Sequence, residues 1–171
     1  VNNKSLYDVV KMDSLYVQTI FERFEISKAV LLSSAAVYYG YEGPVDETVC
    51  PRPTVNYGIS KRFAEMIFEK ESRKKQTQAV VLRLTYAFGK GERETRLFRS
   101  IARSITSGQT LRVHGNGESY INPVPVEFVC KVVEHFLSTN IEAAVDYYNV
   151  GSLEQVRVKD IVERLKQSFR F

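Results

Sequence analysis

Apolar residues follow two different patterns along this chain. In five segments they recur three or four positions apart, which is the spacing of one face of an α-helix. These predicted helices are residues 6–24, 54–74, 97–107, 126–137 and 156–169. Two short apolar runs, residues 29–32 and 79–84, are typical of buried strands, and residues 110–113 are predicted as a further short strand. Predicted helices and strands therefore alternate along the chain.

Several large or apolar side chains on these helical faces are predicted to be buried and not to contact a ligand. The aromatic ones are Phe21, Phe24, Phe63, Phe68 and Phe136. Cys130 lies on an apolar helix face as well, and we expect it to be a small buried hydrophobic residue.

Candidate chemistry concentrates in residues 33–61. Tyr57 and Lys61 form the pattern Y-x-x-x-K, which places both side chains on one helical face about one turn apart. A cation beside a phenol favours the phenolate, and it makes the phenol a better acid–base group near neutral pH. Ser34, at the end of the first predicted strand, can hydrogen-bond the same substrate oxygen. Together these side chains can move a proton to or from a carbinol oxygen while a hydride leaves or reaches carbon.

The Y-x-x-x-K spacing is a weak signal by itself, because the chain contains 10 tyrosines. Its surroundings strengthen it. Ser33 and Ser34 follow the buried run 29–32, and open α/β sheets bind ligands at the carboxyl ends of their strands. A loop rich in glycine and proline then leads into the helix that carries Tyr57.

Residues 33–61 resemble the extended short-chain dehydrogenase/reductases, specifically the NAD-dependent epimerase/dehydratase branch. Members of that branch read S-S-x-x-V-Y-G and then P-x-x-x-Y-x-x-S-K. Similar matches occur in PVDE at residues 44–47, LRLTYAFG at residues 82–89 and YNVG at residues 148–151. The resemblance covers nearly the whole chain.

This resemblance implies an α/β fold made of the C-terminal portion of a Rossmann-type parallel sheet and a small α/β substrate domain. It assigns residues 1–91 to a partial NAD(P)-binding domain and residues 92–171 mostly to a substrate-binding subdomain. Segments 111–113, 126–139 and 146–150 are expected to return to the Rossmann core.

The resemblance also implies roles for individual residues. Tyr57 would be the general base or acid, Lys61 would activate it and bind the nicotinamide ribose, and Ser34 would orient the substrate. The implied contacts to NAD or NADP are Ser33, Ser34, Tyr57, Lys61, Leu84 and Thr85. The implied contacts to a small-molecule substrate, a nucleotide sugar, are Ser34, Ala35, Ala36, Tyr57 and Tyr86.

Several positions depart from the family pattern, and four of them bear on the site. Val10 replaces an asparagine that often has a catalytic or cofactor role, and Asp13 stands at a glycine position. Tyr86 replaces a substrate-binding asparagine, and Ile121 replaces an arginine that commonly clamps the substrate diphosphate.

These departures leave three interpretations open. The first is an NAD(P)-dependent epimerase or dehydratase of nucleotide sugars. The second is a truncated or non-catalytic member that serves as a binding or assembly module, which retention of Ser34, Tyr57 and Lys61 disfavours. The third is a reductase whose substrate has no diphosphate, which would explain Ile121.

A glycine-rich turn of the kind that cradles a dinucleotide pyrophosphate does not occur in this sequence, and its first methionine is Met12. We therefore expect the chain to be a fragment, or a processed piece, of a longer protein whose missing region lies upstream. The choice between NAD and NADP would be made in that region.

Composition restricts the remaining possibilities. With 44% hydrophobic and 26% charged residues, the 171-residue chain is of globular type. The net charge of +4 comes from scattered basic residues apart from the cluster 73–75, which gives no support for nucleic-acid binding. Two cysteines without a C-x-x-C motif fit a reducing compartment, and we expect a cytoplasmic protein. Two histidines without ligand spacing give no indication of a metal site, and no apolar run has membrane length. The resemblance makes a homodimer through helices 6–24 and 54–74 plausible.

Overall fold

The computed structural model describes residues 5–108, 110–141 and 144–169, without the side chains of His114 and Phe169. Its helices are α1 (Leu6–Arg23), α2 (Asn56–Lys75), α3 (Leu97–Ser107), α4 (Val126–Ser138) and α5 (Val158–Phe169). Its strands are β1 (Lys28–Ser34), β2 (Gln78–Leu84), β3 (Tyr86–Phe88), β4 (Tyr120–Ile121), β5 (Pro123–Pro125), β6 (Val145–Val150) and β7 (Val156–Arg157). Short 3₁₀ turns occupy Ala35–Tyr38 and His114–Gly117. The predicted α/β class is confirmed.

The chain divides into two compact units. The first comprises Val1–Thr85 with Lys131–Val150, and the second comprises Tyr86–Cys130 with Gly151–Phe171.

A parallel sheet with the order β1-β2-β6 forms the centre of the first unit. The middle strand is buried on both faces, and Val80, Val81 and Leu82 have no exposed surface. This explains the continuous apolar run in β2, because a strand of a parallel sheet that is covered on both sides has no polar face. In the described part of the chain β1 pairs only with β2, and Leu32 on this strand is 49% exposed.

Helices α1 and α2 pack on each other and on this sheet. Their contact contains Val17, Phe21, Ala64 and Phe68, and the two phenylalanine rings meet edge to face with centroids 5.7 Å apart. Such ring pairs add about 0.5–1.5 kcal/mol beyond the burial of their surface. The predicted core positions Phe21 and Phe68 are therefore confirmed.

Helix α2 begins at Asn56, slightly later than the predicted start at residue 54. The backbone N–H of Thr54 instead donates to the carbonyl of Tyr39 at 3.0 Å, which ties this residue to the preceding turn. Val55 is the extended cap residue, and the helix ends at Gln76 in a left-handed conformation. Three basic residues in its last turn, 73–75, lie where the helix dipole favours positive charge.

The second unit contains two small sheets. Strands β3 and β5 pair in parallel, and β4 and β7 pair antiparallel. Phe88 and Phe98 stack with centroids 4.3 Å apart. Gly89 has a φ of 150°, and a Cβ at this position would lie 2.5 Å from a methyl carbon of Val126. This close approach gives Gly89 a structural role.

Three predictions about local structure are wrong. Residues 110–113 form no strand; they follow the left-handed C-cap Gly108 and lack a partner strand among the described residues. Phe24 and Phe63 are 61% and 46% exposed, because helical spacing does not reveal which side of a broad apolar stripe is covered. Cys130 is exposed as well. Phe136 is half-buried and lies 4.8 Å from the ring of Tyr148.

No helix in the described ranges is both long enough and apolar enough to cross a lipid bilayer.

Candidate active site

The two serines at the end of β1 point in different directions, as neighbouring residues of a strand do. The hydroxyl of Ser33 faces the interior and donates to the carboxylate of Glu65 at 2.6 Å. The hydroxyl of Ser34 accepts a 3.2 Å hydrogen bond from the backbone N–H of Ala36 and caps the 3₁₀ turn. Only Ser34 therefore presents its side chain at the carboxyl edge of the sheet, while Ser33 is committed to the core.

Tyr57 and Lys61 lie together on the first turns of α2. The Nζ of Lys61 is 5.6 Å from the centroid of the Tyr57 ring. Tyr57 is 52% exposed, whereas the Lys61 side chain is 21% exposed. The structure thus brings the phenol and the ammonium into contact and leaves the phenol accessible to a bound molecule.

Gly58 allows this part of α2 to approach the turn that follows Ser34. A Cβ on Gly58 would lie 2.2 Å from the carbonyl oxygen of Ala36 and 2.9 Å from the Cβ of Pro53. Neither distance is possible between real atoms, so any side chain at this position would push the helix away. Gly58 therefore fixes the distance between the Tyr57 helix and the Ser34 turn.

Sequence reasoning did not identify this role of Gly58. The available signal was a glycine directly after Tyr57 inside a predicted helix, where glycine costs about 1 kcal/mol relative to alanine. A residue that weakens a helix indicates a close contact when nothing else explains it.

A second close contact, between Gly40 and Thr54, holds the same turn in place. Gly40 has a φ of 106°, and a Cβ there would lie 2.6 Å from the methyl group of Thr54. The hydroxyl of Thr54 also donates to the carbonyl of Tyr39 at 3.1 Å. The segment just before α2 is thereby held against the turn from Ala35 to Gly40.

A buried polar cluster connects the elements that carry the site residues. Arg83, on β2, is 2% exposed and makes a two-pronged salt bridge with Glu65 of α2, both contacts being 3.0 Å. Its Nη1 donates to the hydroxyl of Tyr38 at 2.6 Å. Burial acts to lower the pKa of Arg83, but the bonds to Glu65 and Tyr38 outweigh it and raise the pKa. The cluster joins β2, α2 and the turn after Ser34.

Tyr147 closes this cluster on the side of β6. Its ring centroid lies 4.6 Å from the guanidinium of Arg83, and its hydroxyl donates to Glu69 at 2.8 Å. Burial, together with this bond to Glu69, raises the pKa of Tyr147 to about 12. Burial acts to raise the pKa of Glu69, but hydrogen bonds from Tyr147 and Arg73 outweigh it and lower the pKa. Tyr147 therefore stays protonated and has a structural role, in contrast to the accessible Tyr57.

Leu84 and Thr85 lie at the carboxyl end of β2. Leu84 is the register partner of Ser34 on the neighbouring strand, so these two predicted site residues are adjacent. The N–H and the hydroxyl of Thr85 both donate to the carbonyl of Val150, at 3.0 and 3.2 Å. Ala36 is buried and gives its carbonyl to the contact with α2, and Ala35 lies beside it in the same turn.

Tyr86 belongs to the second unit. Its hydroxyl accepts a 3.0 Å hydrogen bond from the backbone N–H of Leu97, and the guanidinium of Arg96 lies 4.2 Å from its ring centroid. Tyr86 thus anchors the start of α3.

Asp13 makes a contact that sequence reasoning did not foresee. Its carboxylate lies 3.1 Å from the Nζ of Lys61 and also accepts a hydrogen bond from the hydroxyl of Ser60. The sequence marked Asp13 only as a departure from a glycine position.

No group of three or more potential metal ligands occurs within the ranges that the structure describes.

Residues 2–151 match the sequence model of the NAD dependent epimerase/dehydratase family. The chain belongs to this family. The resemblance stated from residues 33–61 is therefore confirmed.

Known members of the epimerase/dehydratase family can be compared with this chain directly. It is 24% identical over 148 residues to dTDP-4-dehydro-6-deoxyglucose reductase of Escherichia coli, a match that covers 81% of this chain and 45% of that protein. Its fold is similar to that of a UDP-glucose 4-epimerase from Thermotoga maritima, with a TM-score of 0.87, 20% identity and coverage of 98% and 56%. A UDP-glucuronic acid 4-epimerase from Bacillus cereus in complex with NAD gives a TM-score of 0.86, 21% identity and coverage of 98% and 55%.

The chain spans about half the length of these relatives. At these identities the structural likeness shows the fold alone. Within this family member, the carboxyl edge of β1 and β2 and the first turns of α2 form the candidate active site.

Proposed function

We propose that this chain provides the acid–base half of an NAD(P)-dependent epimerase or dehydratase that acts on a nucleotide sugar. The observation that carries the proposal is the contact between Tyr57 and Lys61 on α2. Because Gly58 has no side chain, this part of the helix packs closely against the turn that follows Ser34. Family membership and the nucleotide-sugar names of the relatives support the substrate class.

The described residues fit the nicotinamide end of a dinucleotide. The phenol of Tyr57 is accessible, and the ammonium of Lys61 lies near its ring; both groups are donors suited to ribose hydroxyls. Leu84, at the end of β2, offers an apolar side chain beside Ser34, and Thr85 follows it directly. The sequence holds no glycine-rich turn for the pyrophosphate, so the proposal concerns this end of the cofactor alone.

A bound nicotinamide would accept or supply the hydride. The residues of this chain would handle the proton. Tyr57 takes the proton of a sugar hydroxyl as the carbon–hydrogen bond of that carbon breaks, and it returns the proton when the carbonyl is reduced. Lys61 stabilises the negative charge on the phenolate oxygen. Ser34 donates a hydrogen bond to the same substrate oxygen and orients it toward Tyr57.

The test is replacement of Tyr57 by phenylalanine in the intact protein. Tyr57→Phe should reduce turnover of UDP- and dTDP-sugars by at least about 10²-fold, the contribution typical of a positioned acid–base group. Circular dichroism and thermal unfolding should be unchanged, because Tyr57 is 52% exposed. Tyr16→Phe makes the same change on α1 at a 66% exposed tyrosine and should leave turnover intact. Normal turnover by Tyr57→Phe would refute the assigned role.

Two other functions are each supported by one residue. Ile121 offers no charge to a diphosphate, which favours a reductase of a substrate without one. Tyr86 anchors α3 in place of a substrate-binding asparagine, which favours a binding or assembly module without catalysis. Calorimetric titration of the same intact protein with UDP- and dTDP-sugars separates these functions. Tight binding contradicts the argument from Ile121, and binding without turnover indicates the module.

We propose further that the protein is a cytoplasmic homodimer. Cys50 and Cys130 are free and exposed, which fits a reducing compartment. Several apolar side chains of α1 and α2 are exposed and would be covered by the same helices of a second copy. They are Leu6, Tyr7, Leu15, Tyr16, Ile20, Phe63 and Met66.

A further inference from the structure

Lys61 has a counter-ion on the neighbouring helix. The carboxylate of Asp13, on α1, lies 3.1 Å from the Nζ of Lys61, on α2. Both side chains are mostly covered, with exposed fractions of 21% for Lys61 and 25% for Asp13. Partial burial weakens screening by water, so each charge affects its neighbours more strongly than a fully exposed charge would.

The position of the Asp13 carboxylate is fixed by a second contact. The hydroxyl of Ser60, which has no exposed surface, donates to this carboxylate and approaches the carbonyl of Val9 at 3.2 Å. Ser60 directly precedes Lys61 on α2. The carboxylate is therefore held at the contact between the two helices, beside the ammonium group.

Other charged groups on the elements around α2 are engaged elsewhere. Glu65 pairs with Arg83 of β2, which also bonds Tyr38 of the turn after β1. Tyr147 of β6 bonds Glu69.

On α1, Asp8 bonds the cap residue Ser5, and Lys11 lies 5.6 Å from the ring centroid of Tyr7. Within the described residues, the charged and titratable groups in contact with Lys61 are thus Asp13 and Tyr57.

We propose that Asp13 is a positioning residue that holds the Lys61 ammonium at the α1–α2 contact and weakens its effect on Tyr57. This role rests on the proposed function for its catalytic meaning, whereas the ion pair itself can be measured without it. A carboxylate next to the ammonium offsets part of the positive field that favours the phenolate.

The ion pair is tested by the rate at which Lys61 is acetylated. Amine-reactive acetylation modifies only the neutral amine, which an ion pair with a carboxylate disfavours. Brief treatment of the intact protein with acetic anhydride at fixed pH, followed by peptide mass spectrometry, gives the rate for Lys61 relative to the exposed Lys70 on the same helix. Asp13→Asn should raise this ratio about twofold to fivefold, the factor typical of a partly exposed pair.

Two further variants make this result specific. Asp13→Ala removes the same charge with a residue that favours helices, so it replaces the asparagine variant if that one folds poorly. Glu22→Gln removes one negative charge from the same helix at a residue that bonds Gln18, and it should leave the ratio unchanged. An unchanged ratio in folded Asp13→Asn and Asp13→Ala would overturn the proposal.

The effect on Tyr57 is tested by the pH dependence of turnover. In Asp13→Asn the pH dependence of turnover should change, because the negative charge next to the Lys61 ammonium is lost. Mere damage to the fold would instead lower the rate by the same factor at every pH. A profile identical to that of the unmodified protein would overturn the tuning role.

Failure of this proposal and failure of the proposed function would give different experimental results. If the protein turns over nucleotide sugars and Tyr57→Phe abolishes turnover, the function stands whatever Asp13 does. If no substrate is turned over while the acetylation ratio rises in Asp13→Asn, the ion pair stands and the enzymatic function falls.

Discussion

At the scale of single residues, Gly58 determines whether the candidate site can form. The carbonyl of Ala36 occupies the space that a side chain on Gly58 would need, at 2.2 Å from the Cβ position. Pro53 limits the same space from the other side. Helix α2 can thus pack closely against this turn because one residue near its start has no side chain.

The sign of the change in the free energy of unfolding caused by Gly58→Ala tests this contact. In a free helix this change would stabilise by about 1 kcal/mol, since alanine favours helices more than glycine does. Here we expect destabilisation by about 1–3 kcal/mol, because the added methyl must displace backbone. The measurement is urea unfolding of the intact protein. A more stable variant would show that the contact with Ala36 is not tight.

The sequence could predict the residues of the site, but not the contacts that hold Gly58 and Lys61 in place. The spacing of Tyr57 and Lys61 on a helix, and the place of Ser34 after a buried strand, follow from local periodicity. The partner of Gly58 is a carbonyl group, and that of Lys61 is a carboxylate on another helix. Neither partner is visible until the chain is folded, because both contacts join segments far apart in sequence.

At the scale of elements, the Arg83–Glu65 pair joins β2 to α2. It lies directly beneath the turn that carries Ser34, and Tyr38 of that turn bonds the same guanidinium. Removing one partner of a buried pair leaves an uncompensated charge, which is far more costly than losing an exposed pair. The pair therefore holds the helix of Tyr57 and the turn of Ser34 in a fixed arrangement.

Glu65→Gln should reduce the free energy of unfolding by about 3–5 kcal/mol. Glu94→Gln is the matched control, because Glu94 pairs with Arg99 and both side chains are about half exposed. It should cost less than about 1 kcal/mol. Chemical denaturation of both variants gives the comparison, and equal losses would contradict a special role for the buried pair.

Periodicity predicted the five helices and strands β1 and β2, but it missed the shorter strands and misjudged the burial of several side chains. Strand β2 could be predicted because a strand covered on both faces has an uninterrupted apolar run. The same periodicity placed Phe24 and Phe63 in the core, yet both are exposed. Apolar spacing identifies one face of a helix, and it does not say how much of that face is buried.

At the scale of the whole molecule, exposed apolar residues on α1 and α2 support the proposed second copy. Ile20 and Phe63 are 49% and 46% exposed, and Met66, one turn further along α2, is 51% exposed. Apolar side chains exposed on two packed helices are typical of an interaction surface when they form one patch. A two-fold pairing would cover α1 and α2 of each copy with the same helices of the other.

The prediction is that the intact protein is a dimer that charged substitutions dissociate. Ile20→Glu combined with Phe63→Glu places four charges in a symmetric interface, since each copy contributes both. Light scattering coupled to size-exclusion chromatography should then give the monomer mass at concentrations where the unmodified protein is dimeric. Leu153→Glu is the control, because Leu153 is fully exposed in the second unit and lies outside the proposed surface. A monomeric unmodified protein, or a dimer that survives both charged substitutions, would show that α1 and α2 are covered by something other than a second copy.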